Sequence, residues 1–383
     1  MISHNYWFIS APGDVSTSHT WETLNYATEG CSDNYKFNIP NLKVGTLDQL
    51  IGISEELSKI KTSTYCVIRK LVKNFEDVLE EGKDKLLENL FVDGKDIHTY
   101  ICQFQWQTAK YPSKQPLKVL VDIITKQIST IENDMKCKMV NFNTSKNELI
   151  NIDKKSTGSL MTRDLYELVK SEDFVLGSEY LQTVCVVVPK SLSTEWEETY
   201  YKITDKIVPQ SSFLITKDES YNLYTVTLFK IVLNEFKKRC QAKKFIVRDF
   251  IYDEKTLQNN KGDREKIFQD VRKQYQLLIR WLKINFSELF SAYIHIIALE
   301  IFVESVLRYG LPVNFQAAVV RPKKGYQKKL RSILNGLYHH LDGSNIGQID
   351  NLDESFALMN LGFEEYYPYV YCGIDIDYIF NDS

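Results

Sequence analysis

A chain of 383 residues with 44% hydrophobic and 13% aromatic side chains can fill two or three separate cores, which excludes an intrinsically disordered protein. Its formal net charge of −3 provides no global field toward nucleic acid or an anionic membrane. Seven cysteines, odd in number and without a Cys-x-x-Cys pair, argue against a disulfide framework or a structural zinc site and fit a reducing cytosol.

The first residues lack a basic start and meet Pro12 and Gly13 before any apolar run of signal-peptide length, so no secretion signal is expected. Residues 5–12 alternate as a strand, 16–27 read as a short helix, and 38–46 as a loop around Pro40 and Gly45. Ser54, with Glu55 and Glu56 behind it, predicts a helix start: a hydroxyl caps free N–H groups and carboxylates suit the positive end of the dipole. From there Leu57, Ile60, Thr64, Ile68, Leu71, Phe75 and Val78 form a heptad-like stripe. A second stripe follows Pro116, with Leu117, Leu120, Ile124, Ile128, Ile131, Met135, Phe142 and, after gaps, Leu149. One continuous helix over 117–153 would be roughly 55 Å long. The spacing leaves two accounts open, an ordinary bundle or a rigid spacer between lobes. Its antiparallel partner is the helical pattern over 264–307.

Between those patterns the rhythm changes. Residues 180–188 are a β-branched run closed by Pro189, 194–207 have helical spacing, 213–216 and 221–229 read as strands, 230–242 as a helix, and 245–252 alternate. The order βαββαβ predicts a four-stranded sheet with two helices on one face. The apolar run over 284–307 has the length of a membrane span, but Glu288, His295, Glu300 and Glu304 are costly in hydrocarbon, so a buried helix is expected. Gly310 and Pro312 then stop that helix and turn the chain into a strand over 313–320, a structural hinge. Residues 321–331 hold six basic side chains, whereas 342–383 hold nine acidic ones and neither lysine nor arginine. The tyrosine-rich segment 366–380 alternates as a strand, and both chain ends are expected to share one lobe.

Motifs for chemistry are missing. No Gly-x-x-x-x-Gly-Lys loop, Gly-x-Gly-x-x-Gly turn, Gly-x-Ser-x-Gly elbow, His-Glu-x-x-His pair or acidic calcium loop is present, and no cofactor is expected. His339 and His340 are adjacent, so on a helix they diverge by about 100° and do not converge on one metal. Asp375 and Asp377 would share a strand face, more simply a solvated edge than an acid pair. Lys237, Lys238, Arg239, Lys243 and Lys244 form one basic cluster, and Lys323 and Lys324 open another. Each reads as a solvated face, as a dock for an acidic protein, or as a nucleic-acid contact.

KFNIP at 36–40, LKVGTLDQL at 42–50, FQWQTAKYP at 104–112, EDFVLGSEYLQTVCVVVPK at 172–190, KFIVRDF at 244–250, FVESVLRYGLPVNFQA at 302–317 and EYYPYVY at 365–371 together resemble the C-subunit of the vacuolar-type proton-translocating ATPase (V-ATPase), in its eukaryotic form. The resemblance runs nearly end to end. It implies an elongated α+β protein: a foot from residues 1–115 and 298–383, neck helices at 116–157 and 255–297, and a head at 158–254. It implies no enzyme activity, a place in the cytosolic sector at the face of endomembranes, and release when the pump's sectors separate. The implied partners are the stalk heterodimers of the E- and G-subunits and the N-terminal domain of the membrane a-subunit, with actin filaments as an alternative partner. Stalk docking on the head is assigned to the surface near Phe174, Val175 and Tyr180 or to the basic helix at 237–239.

Overall fold

The computed structural model describes residues 5–13, 16–79, 88–166, 168–341 and 367–380, so most of the acidic run, at 342–366, lies outside the described residues. The N-terminal strand β1 (Asn5–Pro12) leads into α1 (Thr17–Ala27), which Ser16 caps by accepting from His19 N at 3.1 Å. A short strand, β2 (Ser32–Lys36), comes next. Helix α2 (Leu47–Leu79) starts upstream of Ser54, so the expected start there is wrong. Gln49 Oε1 accepts from Thr46 N at 3.2 Å and satisfies a free donor at the earlier end, while Ser54 Oγ donates to Glu304 Oε1 at 2.5 Å. Helices α3 (Ile97–Cys102) and α4 (Leu117–Thr157) follow.

The next six elements keep the expected order: β3 (Leu181–Pro189), α5 (Ser193–Thr199), β4 (Phe213–Lys217), β5 (Tyr221–Phe229), α6 (Leu233–Ala242) and β6 (Ile246–Arg248). The helix expected over 194–207 is shorter, because α5 gives way to a 3₁₀ turn at Tyr200–Lys202. Tyr200, Ile203 and Ile207 still reach the sheet core, so burial rather than helix continuity sets that path. Helix α7 (Glu254–Tyr309) precedes β7 (Phe315–Pro322), α8 (Gln327–Tyr338), β8 (Val370–Asp375) and α9 (Asp377–Phe380). The strand expected over 366–380 therefore ends early. Asp375 Oδ1 accepts from Asp377 N at 2.9 Å and opens a helical turn, so the two aspartates do not share a strand face.

The chain divides into two compact units, residues 1–139 with 277–383, and residues 140–276. Helices α4 and α7 contribute residues to both. In the first unit the strands lie in the order β2-β7-β1-β8, all antiparallel, so both chain ends build one sheet. Trp7, Ile9, Ala11, Ala318 and Val320 point to one face, where Leu24 of α1 and Leu330 and Leu334 of α8 cover them. The intervening residues Tyr6, Phe8 and Val319 are buried on the other side.

Within this unit α2 and α4 run parallel, with Lys118 2.6 Å from Glu56 and Lys70 3.5 Å from Glu132. Helix α7 runs antiparallel to both: Lys61 meets Glu300 at 2.6 Å, and Gln127 Nε2 donates to Glu288 at 3.0 Å. The apolar window of α7 passes the length and composition test for a membrane span, yet 89% of that window is buried inside the protein. Leu289, Phe290, Ile294, Ile297, Leu299 and Phe302 all lie in the core, each fully buried side chain contributing about 1.5–3 kcal/mol.

In the unit of residues 140–276 the sheet order is β4-β5-β3-β6. Val184, Val186 and Val188 of β3 and Tyr224, Val226 and Leu228 of β5 face Trp196 of α5 and Phe236 and Cys240 of α6. Two helices thus pack on one face, as the βαββαβ order predicts. The opposite face, with Cys185, Val187 and Leu223, is covered by Leu160, Leu165 and Val169 from the segment before β3. Here α4 and α7 pair through Phe142 and Tyr275, 6.4 Å between ring centroids, and through Arg264 and Asp153 at 2.8 Å.

Candidate interaction surfaces

Residues 174–180 form a strap across the ends of β3 and β5. Val175 N donates to Thr183 Oγ1 at 3.1 Å, Leu181 N to Ser178 Oγ at 3.0 Å, and Lys230 N to Tyr180 O at 2.9 Å. Lys230 Nζ adds a bond to Ser178 O at 2.7 Å. The strap holds its own apolar side chains outward: Val175 is 43% exposed, Leu176 55% and Tyr180 65%, with Ile231 at 80% beside them. Phe174 does not belong to this surface. It turns inward, stacks on Tyr252 at 5.5 Å and meets Phe250 at 5.6 Å, so its role is packing. Sequence reading thus picks two of the exposed residues and misses Leu176 and Ile231. The signal for Leu176 was present: a second apolar residue directly before Gly177 has no room in an alternating pattern. For Ile231 the backbone bond from Lys230 to Tyr180 decides, and no sequence pattern contains it.

The basic cluster on α6 is partly neutralised where it stands. Lys237 pairs with Asp249, Arg239 lies 2.5 Å from Glu235 and donates to Ile203 O at 2.7 Å, and Lys243 lies 3.6 Å from Glu195. Lys238 is exposed. The flanking rings Phe236 and Phe245 are both buried in the core and offer no stacking platform for a base. Lys323 and Lys324 sit on the turn after β7, where Gly325 takes φ +81. Lys323 N donates to Cys31 O at 2.9 Å and its Nζ lies 3.9 Å from Asp33, whereas Lys324 projects outward. Arg331, from the same basic run, goes the other way. Its guanidinium sits over Tyr367, Trp7 and Tyr371 at 4.4, 4.6 and 4.8 Å and ties α8 to the sheet by cation–π contact.

Gly310 ends α7 with φ +78, and its N–H donates to Val306 O at 2.9 Å; Pro312 follows through a cis bond from Leu311. The last turn before it is stitched into the sheet. Ser305 Oγ donates to Ser10 Oγ at 2.8 Å, Tyr309 Oη to Ser10 O at 2.7 Å, and Val370 N to Tyr309 Oη at 3.1 Å. Glu304 accepts from Ser54 instead of pairing with Arg308, which donates to Tyr367 O at 2.7 Å.

A polar groove of about 600 Å³ runs beside β8, lined by Ser54, Ser58, Lys61, Glu300, Arg308 and Cys372 among others. Burial pushes the Cys372 thiol up to about 12, so it stays protonated and donates to Glu300 Oε2 at 3.6 Å. Lys61 is held by Glu300 at 2.6 and 2.8 Å. The groove therefore contains a satisfied ion pair and a thiol without nucleophilic character. Among the described residues, no three His, Cys, Asp or Glu side chains are placed to hold a metal.

Comparison with known proteins gives a consistent picture. The family model for the V-ATPase C-subunit matches residues 6–370. A V-type proton ATPase C-subunit from Caenorhabditis briggsae is 58% identical over 98% of this chain and 98% of its own length. The protein of the same name from Manduca sexta is 51% identical over 98% of each. Among solved structures, the cytoplasmic N-terminal domain of an I-subunit, a homologue of the V-ATPase a-subunit, covers 88% of this chain and 98% of its own at 9% identity and a TM-score of 0.28, a likeness too slight to carry weight.

Proposed function

The chain belongs to the V-ATPase C-subunit family, and on that premise we propose that it is a non-catalytic stator component of the proton pump's cytosolic sector. In this reading it bridges E–G stalk heterodimers and the soluble domain of the membrane a-subunit, peripheral to the membrane, and its release accompanies reversible separation of the sectors. Residues 158–254 serve as head, 116–157 and 255–297 as neck, and 1–115 with 298–383 as foot of an elongated molecule. Scattering in solution checks the shape: a radius of gyration near ~21 Å, the compact value for this length, would refute it.

The observation that carries the stalk reading, beyond family membership, is the outward apolar strap of Val175, Leu176 and Tyr180 with Ile231. A monomer gains nothing by holding these side chains in water, while an aromatic anchor ringed by aliphatics is the usual composition of a protein-binding centre. Several modest contacts of this kind, joined by one chain, give strong retention that collapses when one is lost, which suits a part that must resist torque and still come off. Lys323 and Lys324 are the proposed contact on the foot. Comparison with relatives gives no support to a cytoskeletal adaptor.

The test uses the full chain. Tyr180→Ala with Ile231→Asp is expected to weaken capture of E–G heterodimers roughly 30-fold, the size of losing one ~2 kcal/mol anchor, while binding to the soluble domain of the a-subunit is kept. Lys323→Glu with Lys324→Glu should do the reverse. Wild-type capture of E–G by the first variant would remove the strap from the interface.

A further inference from the structure

FQWQTAKYP, one of the most distinctive stretches of this sequence, has no part in the surfaces described above. Its structural role is to close over His295 of α7. The imidazole is fully buried and boxed by Tyr111, Trp106 and Phe104, with ring centroids 4.7, 4.9 and 5.0 Å away. Both ring nitrogens have partners that fix the proton's position. Nδ1 lies 2.7 Å from Ser291 O, and a carbonyl only accepts, so Nδ1 carries the hydrogen. Nε2 receives the backbone N–H of Gln107 at 3.1 Å, and an N–H only donates, so Nε2 presents its lone pair. The neutral ring is thus a linchpin: its free lone pair holds the segment's backbone.

We propose that residues 103–112 form a latch that a proton releases: adding a proton to His295 Nε2 sets one N–H against another and frees the segment from α7. The Ser291 carbonyl and the surrounding rings favour that charge in part, but among the described residues no carboxylate is placed to pair with it. From α7 itself, Glu288 is bound by Lys110 at 2.8 Å and by Gln127 at 3.0 Å. From the segment come Lys110, which is repulsive, and Tyr111, whose Oη donates to Gln127 Oε1 of α4 at 2.8 Å. From α3, Tyr100 donates to Ser291 Oγ at 2.9 Å. Asp93 is taken by Gln107 Nε2, and among the described residues no carboxylate bonds a ring nitrogen. Burial outweighs the opposing hydrogen bond to the Ser291 carbonyl and, with a smaller push from Lys110, lowers the imidazole pKa to about 4. The closed latch also contains a buried Gln107 Oε1 without a hydrogen-bond partner, a cost that opening to water removes.

In the open state the ring titrates at its ordinary value near 6.5, so acid favours opening. The open population rises about threefold from pH 7 to pH 6 and about 20-fold from pH 7 to pH 5. Acidification of the surrounding solution would therefore loosen this face of the first unit without unfolding it.

Hydrogen exchange of the full chain, corrected for intrinsic chemistry, measures this directly. Protection of peptides spanning 103–112 is expected to fall by those factors, while peptides from residues 289–303 of α7 change little. His295→Gln supplies an Oε1 that can accept from Gln107 N–H but does not titrate, and it should flatten the pH dependence. If protection of 103–112 is independent of pH, or if His295→Gln keeps the wild-type slope, the latch is refuted. Should that variant fold poorly, imidazole nitrogen resonances of the wild-type protein decide: an Nδ1-protonated neutral ring persisting at pH 5.5 supports the latch, and an imidazolium at pH 6 overturns it.

Discussion

Two four-stranded antiparallel sheets in one chain are built by opposite strategies. The sheet of residues 140–276 draws its strands from one stretch, Leu181 to Arg248, and its neighbours in space are close in sequence. The other sheet joins β1 and β2 to β7 and β8, so that Trp7 pairs with Val320 and with Gly373 across more than three hundred residues. The first closes short loops at small entropic cost, whereas the second must close the whole chain before it gains a single ladder. The difference teaches that the long helix α7, with Phe286 to Val306 almost wholly buried, does for the second sheet what turns do for the first: it brings the ends together.

The contrast predicts separable stabilities. Trp196 is fully buried between α5 and its sheet and donates to Ser212 Oγ at 3.1 Å, so Trp196→Ala should cost about 3–5 kcal/mol. The loss is expected in the amides of β3 and β5, with β1 and β7 keeping their protection in hydrogen exchange; equal losses in both sheets would make the chain one cooperative body. Acid should discriminate in the other direction. His295 is depressed to about 4 by burial, so its contribution is fully present above about 6.5 and is lost as pH falls toward 4, roughly 3 kcal/mol in all. Residues 140–276 contain no histidine, and their denaturation midpoint should stay level between pH 7 and 6 while that of the first unit drops. The smallest effect concerns the turn after α7. A Cβ at Gly310 meets nothing within 4 Å, so the cost of Gly310→Val is conformational, about 2 kcal/mol for a β-branched residue at φ +78. Urea unfolding should show Gly310→Asn to be milder than Gly310→Val; equal effects would place the constraint elsewhere.

What the sequence reveals follows the same division. The βαββαβ unit is legible because each strand has a continuous apolar face and each partner lies nearby. The stripes of α2, α4 and α7 are legible because three-helix packing demands them. Strand β2, SDNYK, is not legible: an edge strand held by its ladder to β7 and by Asn34 donating to Thr28 Oγ1 at 2.7 Å needs no apolar alternation. Ser54 misleads because a serine before two glutamates has cap chemistry, yet here it serves a carboxylate some 250 positions away. Phe174 and Tyr180 look alike in the sequence, six residues apart, but only the backbone path decides that one packs inward and the other meets water. The latch over His295 was visible only as an unusual string of aromatics.

The distribution of sulfur has a practical consequence. All seven cysteines are free, and only Cys66 and Cys137 are exposed. Burial lifts the thiols of Cys185, Cys240 and Cys372 to about 12, which leaves them almost no thiolate with which to attack a maleimide at neutral pH. The native protein therefore carries two ready attachment points for fluorophores, one on α2 and one on α4. Both are remote in sequence from the strap at 174–180 and from Lys323 and Lys324, so a donor–acceptor pair can be installed without engineering and watched while the proposed partners bind.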